Sequence, residues 1–152
     1  MSALKGFNNV LIKFIDKVLK WYPDLSDLRT IKTGAETIGR YNPRMCLDQF
    51  MSYIGPYYVQ IFNKQEQFFT DLKNFQNDTN VQKLENELGG ESVMSKMAVF
   101  KDIWDEMSDE RKAYVWKMFA ALLKVGALAS NDESYKIILK YVDTNPGLFE
   151  TK

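Results

Sequence analysis

No histidine occurs among the 152 residues of this chain. That absence excludes imidazole as a general base near neutral pH and removes the Ser-His and Cys-His nucleophile pairs. Cysteine is nearly absent too, with Cys46 alone. One thiol forbids a disulfide within the chain and, without imidazole, cannot build a tetrahedral zinc shell. Surplus charge of either sign is missing, since 20 Lys and Arg balance 20 Asp and Glu. Nucleic-acid backbones are bound through an excess of cations that releases counterions, so nucleic acid is a poor match as a partner. Long apolar runs are lacking. The nearest, Ala113 to Ala129, carries Lys117 and Lys124, and nothing reaches the roughly 18 uninterrupted apolar residues of a membrane span. The opening residues do not fit a secretory signal, because Lys13, Asp16 and Lys17 interrupt the apolar region and no small-residue cleavage pattern follows. The expectation is a cytoplasmic protein that is not secreted and has no transmembrane span.

Apolar side chains are plentiful, at 45% of the chain, and aromatic ones reach 14%. This length suits one domain that buries roughly 70% of its unfolded surface, and the aromatics favour a large core, an interface or both. The apolar residues recur with a helical period. Leu4, Phe7, Leu11, Phe14, Val18 and Trp21 form a stripe widened by Val10, Ile15, Leu19 and Tyr22, and Pro23 stops it. Asp24 or Ser26 would cap a second helix with Leu28, Ile31, Ala35 and Ile38 inward, ended by Gly39. Asn42 would cap a third with Pro43 in its first turn and Leu47, Phe50 and Ile54 buried. Gly55-Pro56 would kink or break that helix. Asn63 would begin another, with Glu66 completing a capping box and Phe68, Phe69 and Leu72 inside.

Residues 74–80, NFQNDTN, carry turn chemistry and separate this half from a short helix over 81–88. Ser92 would open the next helix, with Met97, Phe100 and Trp104 inward. Ser108 would cap a helix over 109–129 that is apolar nearly all round, which belongs at the centre of a bundle. One more amphipathic helix is expected around Tyr135 to Val142, ending at Asn145-Pro146-Gly147. No strand pattern is visible. The expected fold is all-α, a single-domain bundle of about six to eight helices. Its body would be 1–130, with 131–152 as a C-terminal helix and tail packing on it or extending from it.

Chemistry-bearing motifs are weak. In TGAETIGRYNPRMC (33–46), Gly34 and Gly39 are followed by Arg40 and Tyr41. A phosphate loop would need Lys and then Ser or Thr there, after a strand. The glycines read better as a close helix contact (Gly34) and a helix stop (Gly39). Arg29, Lys32, Arg40 and Arg44 lie close in sequence to Glu36 alone, so an anionic partner is one reading and a solvated joint the plainer one. Asp102, Asp105, Glu106, Asp109 and Glu110 could pair carboxylates for acid-base work or a divalent cation. Asp109 and Glu110 also sit where acids favour a helix dipole, and that reading is preferred. A calcium loop at Asp78 fails, lacking glycine at its sixth position and holding Gly89 where a glutamate is needed. The basic, amphipathic first helix could lie on a membrane surface, but its wide stripe reads better as core. No catalytic residue, cofactor or metal is expected.

Adjacent aromatic pairs point elsewhere. Tyr57-Tyr58 and Phe68-Phe69 cannot both face one core from a regular helix, so one of each pair is expected at the surface. Candidate partner contacts are Tyr57, Tyr58 and Phe69, with Tyr135 and Ile138 of the tail. The reading is a non-enzymatic interaction or structural module that binds a protein partner or another copy of itself. Its alternative is anion or nucleic-acid binding through Arg29, Lys32, Arg40 and Arg44.

Several landmarks together extend this reading: MSALKGFNNVLIKFIDKV, NPRMCLDQF, IFNKQEQFF, FKDIWDEMSDE and VWKMFAALLKV. Between Leu4 and Val125 the chain resembles small all-helical proteins encoded by large double-stranded DNA viruses of algae and amoebae. The most diagnostic residues are Asn42-Pro43-Arg44, Phe50, Pro56 and Asn63-Lys64. The resemblance implies a viral source, a helical fold, and a place in the host cytoplasm, the virus factory or the particle. It carries over no catalytic residue.

Overall fold

The computed structural model describes residues 3–71, 82, 83, 86 and 93–145. Among them the chain is helical, with no strand. Eight α-helices have defined bounds: α1 (Ala3–Trp21), α2 (Ser26–Tyr41), α3 (Met45–Tyr53), α4 (Tyr58–Phe62), α5 (Glu66–Thr70), α6 (Val93–Glu106), α7 (Asp109–Ala129) and α8 (Lys136–Thr144). Short 3-10 turns precede α4 (Gly55–Tyr57) and α8 (Glu133–Tyr135). This is the expected all-α bundle. No described helix is long and apolar enough to cross a membrane.

The centre is α7. Ser108 caps it, its Oγ accepting the Arg111 N–H at 3.3 Å, and Asp109 and Glu110 occupy the dipole-favoured first turn. Its buried residues are Ala120, Leu122, Leu123, Gly126 and Ala127. The α1 stripe lies along it, with Phe7 and Ile15 buried and Leu4, Val10, Leu11 and Phe14 against the core. The two helices run antiparallel: Trp21 at the end of α1 meets Tyr114 near the start of α7 (5.3 Å between rings), and Phe7 lies beside Gly126. With its apolar face spent on α7, α1 is a core helix.

Gly55-Pro56 breaks the chain as expected. α3 ends at Tyr53, the 3-10 turn follows, and α4 restarts at Tyr58. Leu47 and Met51 of α3 and Ile61 and Phe62 of α4 complete the buried cluster. Residues 131–145 pack on the bundle. Ile138 and Val142 of α8 are buried, and Tyr141 stacks on Phe62 at 5.9 Å.

Several local expectations are corrected. α2 continues through Gly39 to Tyr41, and a Cβ at Gly34 would meet nothing within 4 Å, so neither glycine has its expected role. Asn42 and Pro43 do not start α3. They form a turn in which the Met45 N–H reaches the Asn42 carbonyl at 3.2 Å, and α3 begins only at Met45. That turn is held from outside, because Asn8 Nδ2 donates to the Pro43 carbonyl at 2.9 Å. Asn63 does not start α5 but closes α4 as its C-terminal cap. Its amide donates to the Val59 carbonyl (2.8 Å) and to the Tyr141 hydroxyl (2.7 Å). Ile31 (52%) and Phe100 (38%), expected inward, are exposed. Leu72, the 74–80 loop, the 81–88 helix as a unit, Ser92 and the Met97 side chain lie outside what is described.

The closest approach in the core gives a paired test. A Cβ at Gly126 would sit 2.5 Å from the Met51 sulfur and 3.4 Å from the Phe7 ring. Gly126→Ala should therefore cost about 1–3 kcal/mol in urea unfolding, outweighing the ~1 kcal/mol that alanine gains in a helix. Gly34→Ala, with open space around it, should instead stabilise by roughly 0.5–1 kcal/mol.

Candidate functional site

The adjacent aromatics resolve through the broken helix. Tyr57, in the 3-10 turn, faces α5, with Phe68 at 6.1 Å and Phe69 at 6.2 Å between ring centroids. Tyr58, the first residue of α4, turns the other way onto Tyr141 at 5.4 Å. The change from 3-10 to α geometry rotates neighbouring side chains apart, so neither tyrosine is left at the surface. Tyr57, Tyr58, Phe68 and Phe69 are all half-buried. Tyr135 is half-buried, and Ile138, at 1% exposure, is core. The expectation that Ile138 is available at the surface is corrected. The period of α8 turns it inward, and Ile137, at 56% exposure, takes the outward position.

From Phe69 a seam of rings runs on to Trp116 (6.0 Å) and Trp104 (5.4 Å), joining α5, α7 and α6. One carboxylate seals its edge. Glu66 Oε1 accepts from Trp104 Nε1 at 2.6 Å and from Lys112 Nζ at 2.9 Å. The Lys112 ammonium also lies over the Trp104 ring, 5.3 Å from its centroid. Hydrogen bonds from Lys112 first and Trp104 second hold the Glu66 carboxyl below the usual carboxylate range, against a smaller opposing push from desolvation.

The basic joint is largely spoken for. Arg29 donates to the Pro23 carbonyl. Lys32 pairs with Asp16 at 2.5 Å, and that hydrogen bond raises its pKa above the ordinary lysine value. Arg44 reaches across the fold to the Ala129 carbonyl at 2.6 Å, where it satisfies an orphan acceptor at the end of α7. Arg40 is exposed. Three of the four cations thus serve different contacts, and Arg40 stands exposed.

The acidic group divides as well. Asp105 is held by Lys101 at 2.7 Å, one turn earlier on the same helix, while Asp109 and Glu110 serve the start of α7. Among the described residues, no three His, Cys, Asp or Glu side chains converge in a way that could hold a metal. An open recess of about 410 Å³ is lined by Arg44, Asp48, Ser130, Asn131, Asp132 and Tyr135. Its polar groups have local duties: Asp132 caps the 3-10 turn by accepting the Ser134 N–H at 2.9 Å, and Arg44 is fixed on Ala129. Burial first, then the Asp132 and Asp48 charges, pushes the Tyr135 phenol above its ordinary pKa. The chain matches no family model, no curated protein and no solved structure.

Sequence reasoning missed the outermost apolar residues. Tyr41 is 87% exposed, Leu128 57% and Val99 54%. Tyr41 follows the predicted stop at Gly39, so it was not read as part of a helix face. The engagement of Arg44 is testable. Removing it with Arg44→Ala should destabilise by about 1–2 kcal/mol, as for a part-buried, charge-assisted hydrogen bond. Arg40→Ala, at an exposed site, should stay within roughly 0.5 kcal/mol of wild type, and chemical denaturation distinguishes the two.

Proposed function

We propose that this chain is a helical protein-interaction module and that α2, with the turn after it, is its docking edge. The observation that supports this reading is the exposure of Tyr41, at 87%, on a helix none of whose described side chains is buried. Ile31 is exposed on the same helix, and Met45 is exposed just past the turn. Exposed large aromatics are the residues that anchor protein interfaces once desolvated, and methionine adapts to irregular partners. Arg29 and Lys32 on this helix are tied to neighbouring groups, and Arg40 is exposed beside Tyr41. From the resemblance to helical proteins of large DNA viruses we propose a role for such a module in viral assembly, in the particle or in the factory that builds it.

Engagement of Arg29, Lys32 and Arg44 by three different groups favours protein docking over the anion-binding alternative. Self-association is the simplest form of the docking. Sedimentation velocity across a wide concentration range should show reversible association, and the double variant Ile31→Ser, Tyr41→Ser should weaken it by at least about tenfold while leaving the helical circular-dichroism signal unchanged. A wild-type chain that stays monomeric at its highest soluble concentration, with Tyr41 accessible to chemical modification throughout, would refute self-association through this edge.

A further inference from the structure

Resting on the self-association proposed above, we infer that the recess between the start of α3 and the end of α7 is a socket for the Arg40 guanidinium of a second copy, so that two such contacts close a symmetric dimer. The recess, about 410 Å³, sets the carboxylates of Asp48 and Asp132 against one cation, Arg44. That cation is held on the Ala129 carbonyl at 2.6 Å, and Asp132 accepts from the Ser134 N–H and hydroxyl. Among the described residues, no ion pair or hydrogen bond engages the Asp48 side chain, which is exposed. Both carboxylates are felt across the recess: after burial, the larger cause, their charges raise the pKa of the Tyr135 phenol. Two anions and one cation leave room, electrostatically, for one more positive group.

The recess wall is continuous along the chain with the apolar edge. Arg40 and Tyr41 end α2, Met45 opens α3, and Arg44 of the turn between them lines the recess. Arg40 is exposed, and among the described residues no ion pair or hydrogen bond engages its side chain. The Glu36 charge acts on Lys32, which is already paired with Asp16. Nor does Arg40 line the recess of its own chain. A patch that carries both an unengaged cation and an under-neutralised recess is self-complementary, which is what a two-fold interface requires. The guanidinium suits the site because its planar fork binds carboxylates and it stays charged at any working pH. Tyr41 beside it adds the apolar anchor that an exposed ion pair lacks by itself.

Charge exchange on the full chain tests the socket by sedimentation velocity at low salt. Arg40→Glu and Asp48→Arg each bring like charges together across the contact, and each should weaken self-association by at least about tenfold. Both positions are exposed, so the helical circular-dichroism signal should not change. Combining the two substitutions restores opposite charges in reversed places and should return association to within about threefold of wild type. Association that survives both single variants but falls in Ile31→Ser, Tyr41→Ser would overturn the socket and leave the α2 edge standing. Losses in the single variants that the combination fails to recover would also overturn it. A wild-type chain that stays monomeric ends the socket and the self-association together.

Discussion

Everything in this fold is arranged around the close approach of α7 to α1 and α3 at Gly126. A hydrogen in place of a side chain lets the Met51 sulfur and the Phe7 ring come up against the central helix backbone. Phe7 and Met51 are both fully buried, as are Leu122 and Leu123 on α7 itself. Close packing of this kind leaves little room for adjustment, so the positions of α1 and α3 are set together. The turn at 42–44 and the end of α7 are then pinned by Asn8 on Pro43 and by Arg44 on Ala129.

Away from that centre the structure changes character. Among the described residues, α5 and α6 meet the bundle through rings and one shared carboxylate. Interactions at half-exposed charges are individually modest, so the rings carry most of this contact. α2 contributes in another way. It is tied by Lys32 to Asp16 and presents Ile31 and Tyr41 outward. The centre is closely packed, and α2 presents an apolar outer edge.

Much of this was legible from local pattern. The α1 stripe, the Ser108 cap, the apolar run of α7 and the Gly55-Pro56 break all followed from periodicity and cap chemistry, which depend on residues a few positions apart. The misplacements share a cause. Ile31 lies on α2, an amphipathic helix with no buried residue among those described, and Phe100 on α6, where the neighbouring helices decide which side is covered. Ile138 and Ile137 are adjacent on α8, and only the approach of α7 and α4 decides which is buried. Glu66 was read as one half of a capping box because Asn63 precedes it by three residues. The left-handed Lys64 separates the two, and the carboxylate finds Trp104 and Lys112 instead.

The sequence by itself determined the chemical repertoire and the helical class. Without histidine, and with one thiol, no arrangement of this chain could assemble imidazole chemistry, and periods near 3.6 residues left helices as the way to bury its apolar faces. Tertiary structure alone decided which cations are spent and which aromatics are covered. Arg44 meets an acceptor 85 positions away, and Tyr58 meets a ring on α8. Contacts at such separations depend on how the helices stack, and no short window of sequence contains that information.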